Sequence, residues 1–513
     1  MQINVLEYLE NAVLDFPDKV AFEDETYGLT FTQLSERARA IGSFIGSKGL
    51  YNKPVAICMK KSPETFAAYL GVVYSGCYYI PLDVDSSLHR IEMIFESVDP
   101  EAVICDETMR EILGDLAEKY GADDYNKVIK TPVDDELLSK IRDKAIDIDP
   151  IYSIFTSGST GVPKGVVCSH RAVIDYTENI SKVLKFDSDS KFGNQAPLTV
   201  DISLKDTYPT LKCGATTHFI PKNLFSFPMK LIEYVIKHKI NSLNWVGSVF
   251  ATVSACGTFD ELVPDQLRLV NNGGEVFPMA QFLKWKAALP NTLFSNTYGP
   301  TEITGTVCYF IADREFSPDE LLPIGRAYNN SEVFLLDEND RQVTGQETLG
   351  EICVKGASLA LGYWGDFEKS RNTFVQNPLN TAYPELMYRT GDFGKYNKYG
   401  ELVFVSRKDN QIKHMGHRIE LGEIDAAVSK VDGVRSVCCV FIKASDRLVL
   451  YYTGDAQSDD VMEYIEKKMP RYMKPYNIIC LDEMPLGNSG KINRKLLTEK
   501  AESESGKRKR RRI

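Results

Sequence analysis

The strongest constraint on this chain lies between Ile151 and Gly165. An apolar run, Ile151-Tyr152-Ser153-Ile154-Phe155, leads directly into Thr156-Ser157-Gly158-Ser159-Thr160-Gly161-Val162-Pro163-Lys164-Gly165. The run reads as a buried strand. In the segment after it, glycines let backbone N–H groups converge, hydroxyls add donors and Lys164 adds a positive charge, which together make a cradle for phosphate. It is not a Walker A loop, because Lys164 is followed by Gly165 and Val166 where that motif needs Ser or Thr to hold magnesium. Taken alone, such a loop is equally a flexible turn.

The surrounding sequence alternates short β-rich runs with helical patterns. Residues 63–74, 171–184, 229–239 and 279–289 read as helices, and residues 102–105 and 267–270 as buried strands. Alternation of this kind implies an α/β fold, a mostly parallel sheet covered by helices. From Ser331 to Ile419 the texture changes to glycine-punctuated strand pairs, such as Gly350-Glu351-Ile352-Cys353-Val354-Lys355-Gly356. After Asp409 a smaller α+β unit follows, with a helix near residues 422–430 and strands at 434–443 and 448–453. The expected organisation is a large core over 1–408 with a β-rich subdomain, a small mobile unit over 409–503, and a basic disordered tail over 504–513. A chain of 513 residues is too long for one small core, which agrees.

Bulk properties exclude more than they assign. A net charge of −11 argues against nucleic acid as a general partner. Eleven cysteines form no C-x-x-C pair and the six histidines no H-E-x-x-H spacing, so zinc is not expected and a reducing interior is. The first residues, Met1-Gln2-Ile3-Asn4-Val5-Leu6-Glu7, lack a basic start and an apolar signal core. The best apolar stretch, Tyr69 to Leu82, is broken by glycines and a proline. The expectation is a cytoplasmic protein.

Four further motifs follow the cradle in a set order: Asn296-Thr297-Tyr298-Gly299-Pro300-Thr301-Glu302, Tyr388-Arg389-Thr390-Gly391-Asp392, Ser406-Arg407-Lys408-Asp409-Asn410-Gln411-Ile412-Lys413 and Gly487-Asn488-Ser489-Gly490-Lys491. With the cradle they resemble the adenylate-forming enzymes: acyl- and aryl-CoA ligases, luciferases and the adenylation domains of nonribosomal peptide synthetases. The resemblance covers nearly the whole chain, from Leu29-Thr30-Phe31 to Leu496.

That resemblance implies a two-step ligase using ATP and Mg2+. A carboxylate is already ionised at pH 7 and needs no general base to attack the α-phosphate, so catalysis reduces to positioning and charge neutralisation. By family correspondence Thr156, Ser157, Gly158, Ser159, Thr160, Gly161 and Lys164 hold the β- and γ-phosphates. Gly274, Glu275, Asn296, Thr297, Tyr298 and Gly299 frame the nucleotide; Tyr298 stacks on adenine and Asn296 reads its amino edge. Thr301 donates to the α-phosphate, and Glu302 suits magnesium, a hard cation wanting carboxylate and phosphate oxygens. Asp392 accepts the ribose hydroxyls with Arg407 beside it. Lys491 bridges the substrate carboxylate and the α-phosphate. Asp409 is the family's hinge, and the Gly416 loop admits a pantetheine arm in the second step.

Asp201 occupies the place where amino-acid-activating members hold the substrate ammonium. In a closed pocket it favours an amino acid over a fatty or aryl acid, which would leave it without a partner. Read without the family, Asp201 equally suits a cap for a helix starting near Ser203. The segment from Asn194 to Pro209 looks especially like stand-alone D-alanine:carrier-protein ligases. Two departures speak for a larger pocket: Val200 replaces the usual aromatic, and Gly273 stands where those ligases have a cysteine. The pocket walls, by correspondence, are Ile202, Lys205, Asn244, Asn271, Gly273, Thr297, Gly305 and Thr306. Lys205, one turn after Asp201, reads either as a partner for a substrate carboxylate or amide, or as a lysine snorkelling to solvent.

The expected function is therefore activation of D-alanine or another small or polar amino acid as its adenylate, then transfer to the phosphopantetheine thiol of a separate carrier protein. The alternatives are an acyl- or aryl-CoA ligase and a non-catalytic adenylate-binding protein. The basic run Lys507-Arg508-Lys509-Arg510-Arg511-Arg512 reads as solvated, or as a weak contact to an acidic carrier or an anionic membrane.

Overall fold

A computed structural model describes residues 2–157, 162–407, 411–485 and 492–510, with side chains through 503. By contacts the chain divides into two compact units. The larger comprises Met1–Asp83, Val98–Ile154 and Gly165–Lys408; the smaller comprises Val84–Ser97, Phe155–Lys164 and Asp409–Ile513.

The larger unit is built on two sheets of mainly parallel strands, as the alternating pattern predicts. One has nine strands, in the order Arg326–Ala327, Cys308–Ile311, Leu293–Tyr298, Leu269–Gly273, Ser242–Trp245, Lys191–Asn194, Thr216–Phe219, Val20–Glu23, Gly28–Thr30. Its six central strands run parallel, and antiparallel strands close both ends. The second sheet has seven strands, with Pro150–Thr156 between Lys164–Ser169 and Tyr78–Leu82. A third, antiparallel sheet of six strands carries Leu386–Tyr396 paired with Leu402–Arg407. This is the glycine-punctuated region after Ser331.

Helices cover the parallel sheets. Pro63–Tyr74 starts on a proline behind the Ser62 cap, whose Oγ accepts the Thr65 N–H. His170–Val183 starts on Ser169 in the same way. Leu204–Cys213 ends on Gly214 in the left-handed conformation and carries Pro209 inside it. A large apolar cluster unites helices and both sheets around Phe22, Phe66, Tyr69, Tyr152, Tyr176 and Tyr208. A second packs Trp245, Phe250, Phe282 and Trp285 at the other end of the nine-stranded sheet.

The smaller unit has its own core of Ile419, Ile424, Val437, Leu450, Val461 and Met473. Leu421–Val428 packs on the strand Val434–Ile442, which pairs antiparallel with Arg447–Gly454. Within this unit Arg90 and Glu423 form a nearly buried ion pair, and the Arg90 Nη2 also donates to the Phe155 carbonyl. The hinge residue expected at Asp409 lies outside the described residues. The helix Arg494–Arg510 carries the backbone into the basic run expected to be disordered. Among the described residues no helix is long and apolar enough to cross a membrane.

Trp245 tests the second cluster. Its indole is fully buried, donates from Nε1 to the Gly193 carbonyl at 2.7 Å and stacks on Phe250. Trp245→Ala is expected to destabilise the larger unit by about 3–5 kcal/mol, read as a lower urea midpoint.

Candidate active site

Parallel strands gather their carboxyl ends along one edge, and a ligand meets the loops that leave them there. In the nine-stranded sheet three such ends are adjacent: Ser242–Trp245, Leu269–Gly273 and Leu293–Tyr298, paired so that Asn244 lies beside Asn271, Asn271 beside Ser295, and Gly273 beside Thr297. The motif Tyr298 to Glu302 leaves the last strand through a tight loop. A Cβ on Gly299 would sit 2.5 Å from the Gly305 carbonyl oxygen and 2.6 Å from the Thr306 Cα, so only glycine lets the chain fold back. Thr304 and Gly305 then take positive φ, 56° and 79°, and the Val307 N–H returns to the Tyr298 carbonyl.

This loop buries Glu302 completely; its Oε1 accepts from the Tyr363 hydroxyl at 2.8 Å. Thr301 lies beside it, nearly buried. The Tyr298 hydroxyl donates to Asp392 Oδ2 at 2.6 Å, and Arg407 Nη1 donates to Oδ1 at 2.5 Å across the paired strands. The sequence expectation brought Tyr298, Asp392 and Arg407 to the nucleotide separately; the structure links them in one chain. Burial first, and Asp392 second, push the Tyr298 phenol far above its ordinary value, so it stays a donor. Asn296 uses its amide within the protein, donating to the Pro323 carbonyl and accepting from Asn272 Nδ2, both at 2.7 Å. Asn272, which the sequence reading passed over, also donates to the Glu275 carbonyl. Gly274 has φ +93°, and a Cβ there would press on Ile202 at 2.9 Å.

Asp201 opens a single 3-10 turn, Asp201–Ser203, ahead of the helix Leu204–Cys213. The cap position of that helix is Ser203, whose hydroxyl donates instead to the Val200 carbonyl. Asp201 is buried at 9 % exposure. Its charge reaches the Tyr152 and Tyr176 phenols and the Cys168 thiol, and Cys168 also feels Glu302. On the side of the Tyr298 loop, the Thr304 hydroxyl donates to the Cys168 sulfur at 3.4 Å. None of these three neighbours was legible in the sequence.

Lys205 does not snorkel: its side chain is completely buried. A Cβ on Gly273 would collide with its Nζ and fall 2.5 Å from Thr297 Oγ1, so the glycine leaves the space that the ammonium enters. The asparagines of the expected wall serve a different group. Ser295 donates to Asn271, Asn271 to Asn244, and Asn244 to Asp206 Oδ1, while Asn194 donates to Asp206 Oδ2. Asp206 was visible only as part of the Asp-x-Ser-x-x-Asp string; its depth required the strand pairing. Burial pushes its carboxyl up to about 6, against the opposing pull of both amides and of Lys205. Gly305 packs on the Tyr176 ring, and Thr306 shares a hydrogen bond with Tyr328.

The cradle's flanks belong to the smaller unit. Ser157 is nearly buried and its Oγ donates to the Arg418 carbonyl at 2.5 Å; Thr156 ends its strand and Lys164 begins the next. Gly158, Ser159, Thr160, Gly161 and Lys491 lie outside the described residues. Gly416, at φ +79°, forms with Met415 the turn between Gln411–His414 and His417–Glu420. Among the described residues no three His, Cys, Asp or Glu side chains converge as a metal cage.

Comparison with known proteins bears on the family and the fold. The profile of AMP-binding enzymes matches residues 9–364. The chain is 30% identical to bacitracin synthase 3 of Bacillus licheniformis over 94% of its own length and 7% of that protein's. Across the first curated relatives it spans from 6% to 37% of their length. A Vibrio cholerae adenylation domain, AlmE, solved with glycyl-adenosine-5'-phosphate, superposes with a TM-score of 0.83 at 20% identity, covering 98% of each chain. An artificially fused adenylation–PCP di-domain from Klebsiella oxytoca, NpsA-ThdA, gives 0.80 at 21% identity, covering 93% of this chain and 94% of that one. At these identities the two structures show the shared fold.

The Asp206 carboxyl supplies a test of the polar chain. Its folded value near 6 lies above the ordinary 3.8, so folding favours the protonated form. The stabilisation is present below about pH 4 and is lost as pH rises through 6. Between those limits the wild type is expected to lose about 3 kcal/mol relative to Asp206→Asn, with the difference level above pH 7, read from urea midpoints of both proteins.

Proposed function

Since the chain belongs to the AMP-binding enzyme family, we propose that it activates an amino acid with ATP and passes it to the phosphopantetheine thiol of a carrier protein. The observation that carries this reading is the buried Asp201, an aspartate that is not the helix's cap residue. A carboxylate held there suits a cationic ligand, and a substrate α-ammonium is one. The likeness in fold to AlmE, solved with a glycyl adenylate, and to the adenylation–PCP fusion is the support for an aminoacyl adenylate and a carrier acceptor.

In the first step a substrate carboxylate oxygen bonds to the α-phosphorus as the bond to the bridging oxygen breaks, and pyrophosphate leaves with the electron pair. Thr301 donates to the α-phosphate. Asp392, fixed by Tyr298 and Arg407, receives the ribose hydroxyls. Glu302, a hard and fully buried carboxylate, is the residue that would hold magnesium. Magnesium held there would neutralise charge on the phosphates. The cradle from Thr156 to Lys164 holds the outer phosphates, and Lys491 spans the substrate carboxylate and the α-phosphate. In the second step the thiol sulfur bonds to the carbonyl carbon, its proton passes to solvent and AMP leaves; the glycine at 416 keeps that approach clear.

ATP–pyrophosphate exchange tests the amino-acid reading. Exchange is expected to require a free α-amino group, and Asp201→Ala to lower it by about 10³-fold or more. Full exchange with a fatty or aryl acid, or an Asp201→Ala variant that turns over amino acids normally, replaces the reading with CoA ligation. Lys491→Ala is expected to cost adenylate formation about 3–4 kcal/mol while sparing thioester formation from preformed adenylate. Equal losses in the two half-reactions, measured by single turnover, refute its role.

A further inference from the structure

The pocket beside Asp201 carries a fixed order of charge. Gly273 and Thr297 are paired across two parallel strands, and Lys205 Nζ lies over them. Two residues earlier on the same sheet face is the row of Asn244, Asn271 and Ser295, and Asp206 lies over that row through its bond to Asn244. The strands run parallel, so the Lys205 row is the nearer one to their carboxyl ends, where Tyr298 to Glu302 emerges. A side chain entering from that edge meets the ammonium first. The carboxylate behind it has an amide on each oxygen, from Asn244 and Asn194.

We propose that the activated amino acid bears a side-chain carboxylate, received by the Lys205 ammonium where it lies beside Gly273 and Thr297. The inference rests on the amino-acid reading above and deepens it. A carboxylate meets the buried ammonium in a charge-assisted bond. An amide offers an acceptor without charge, and a methyl group covers the ammonium with hydrocarbon. A lysine or ornithine side chain brings like charge to it. Gly273 belongs to the device, because any Cβ at that position displaces the ammonium.

The test is exchange by the full chain with both enantiomers of aspartate, glutamate, asparagine, glutamine, alanine, lysine and ornithine, with succinate and glutarate alongside. An acidic amino acid is expected to give the highest kcat/KM, at least about tenfold above its own amide. Lys205→Gln is expected to lower turnover of the acid about 100-fold and bring the amide level with it or above it. Thermal melting and AMP binding report whether that variant is folded. Gly273→Ala, which keeps the lysine and fills its seat, is expected to reduce acid turnover in the same direction. A neutral or cationic amino acid as the best wild-type substrate overturns the proposal, as does undiminished acid turnover by folded Lys205→Gln. Exchange with succinate or glutarate but with no amino acid removes the amino-acid reading and leaves the role of Lys205 standing.

Discussion

A carboxylate buried beside a β-sheet is tolerable only if hydrogen bonds replace its water, and the larger unit meets that demand through four side chains. Ser295, Asn271 and Asn244 pass donors along one row of three paired strands to Asp206, and Asn194 closes the other side. The row requires the strands to keep their register, since a shift of one residue turns every asparagine to the opposite face. Asp206 therefore ties the helix Leu204–Cys213 to the sheet at one angle. Asp201 and Lys205, at the start of that helix, inherit their positions from it.

Much of the fold was legible because local signals and tertiary packing agree. Residues 63–74 and 102–105 were read with the bounds the structure gives them; the helix has a serine cap and a proline start, and the strand is a fully buried apolar run. The strand read over 267–270 lies instead at Leu269–Gly273. Its last residues are two asparagines and a glycine, which resemble a turn in sequence and are strand because their neighbours complete the ladder. The motifs themselves stood out in the sequence because they set glycines, hydroxyls and charged residues at close spacing.

What sequence left hidden depends on pairs far apart in the chain. Lys205 was open to a solvent-facing reading because long lysines usually reach water. The vacancy that buries it is created by a missing Cβ at Gly273, on another strand. The Tyr298 to Asp392 bond joins residues 94 positions apart, and nothing in either motif announces it. Asn244 and Asn271 look in sequence like specificity residues offered to a substrate. In the fold their oxygens already accept from protein donors, so their influence on a ligand passes through Asp206.

Pro209 has a quieter consequence. It stands four residues after Lys205 and has no N–H to give, so the helical bond that would run from position 209 back to the first turn is missing. The Lys205 carbonyl therefore lacks the amide donor that an uninterrupted helix would supply to it. Every residue from Leu204 to Leu211 is nonetheless buried, so an exchange anywhere along the helix is felt by the core. A change of side chain along this helix therefore acts on folding stability as well as on the groups the helix presents.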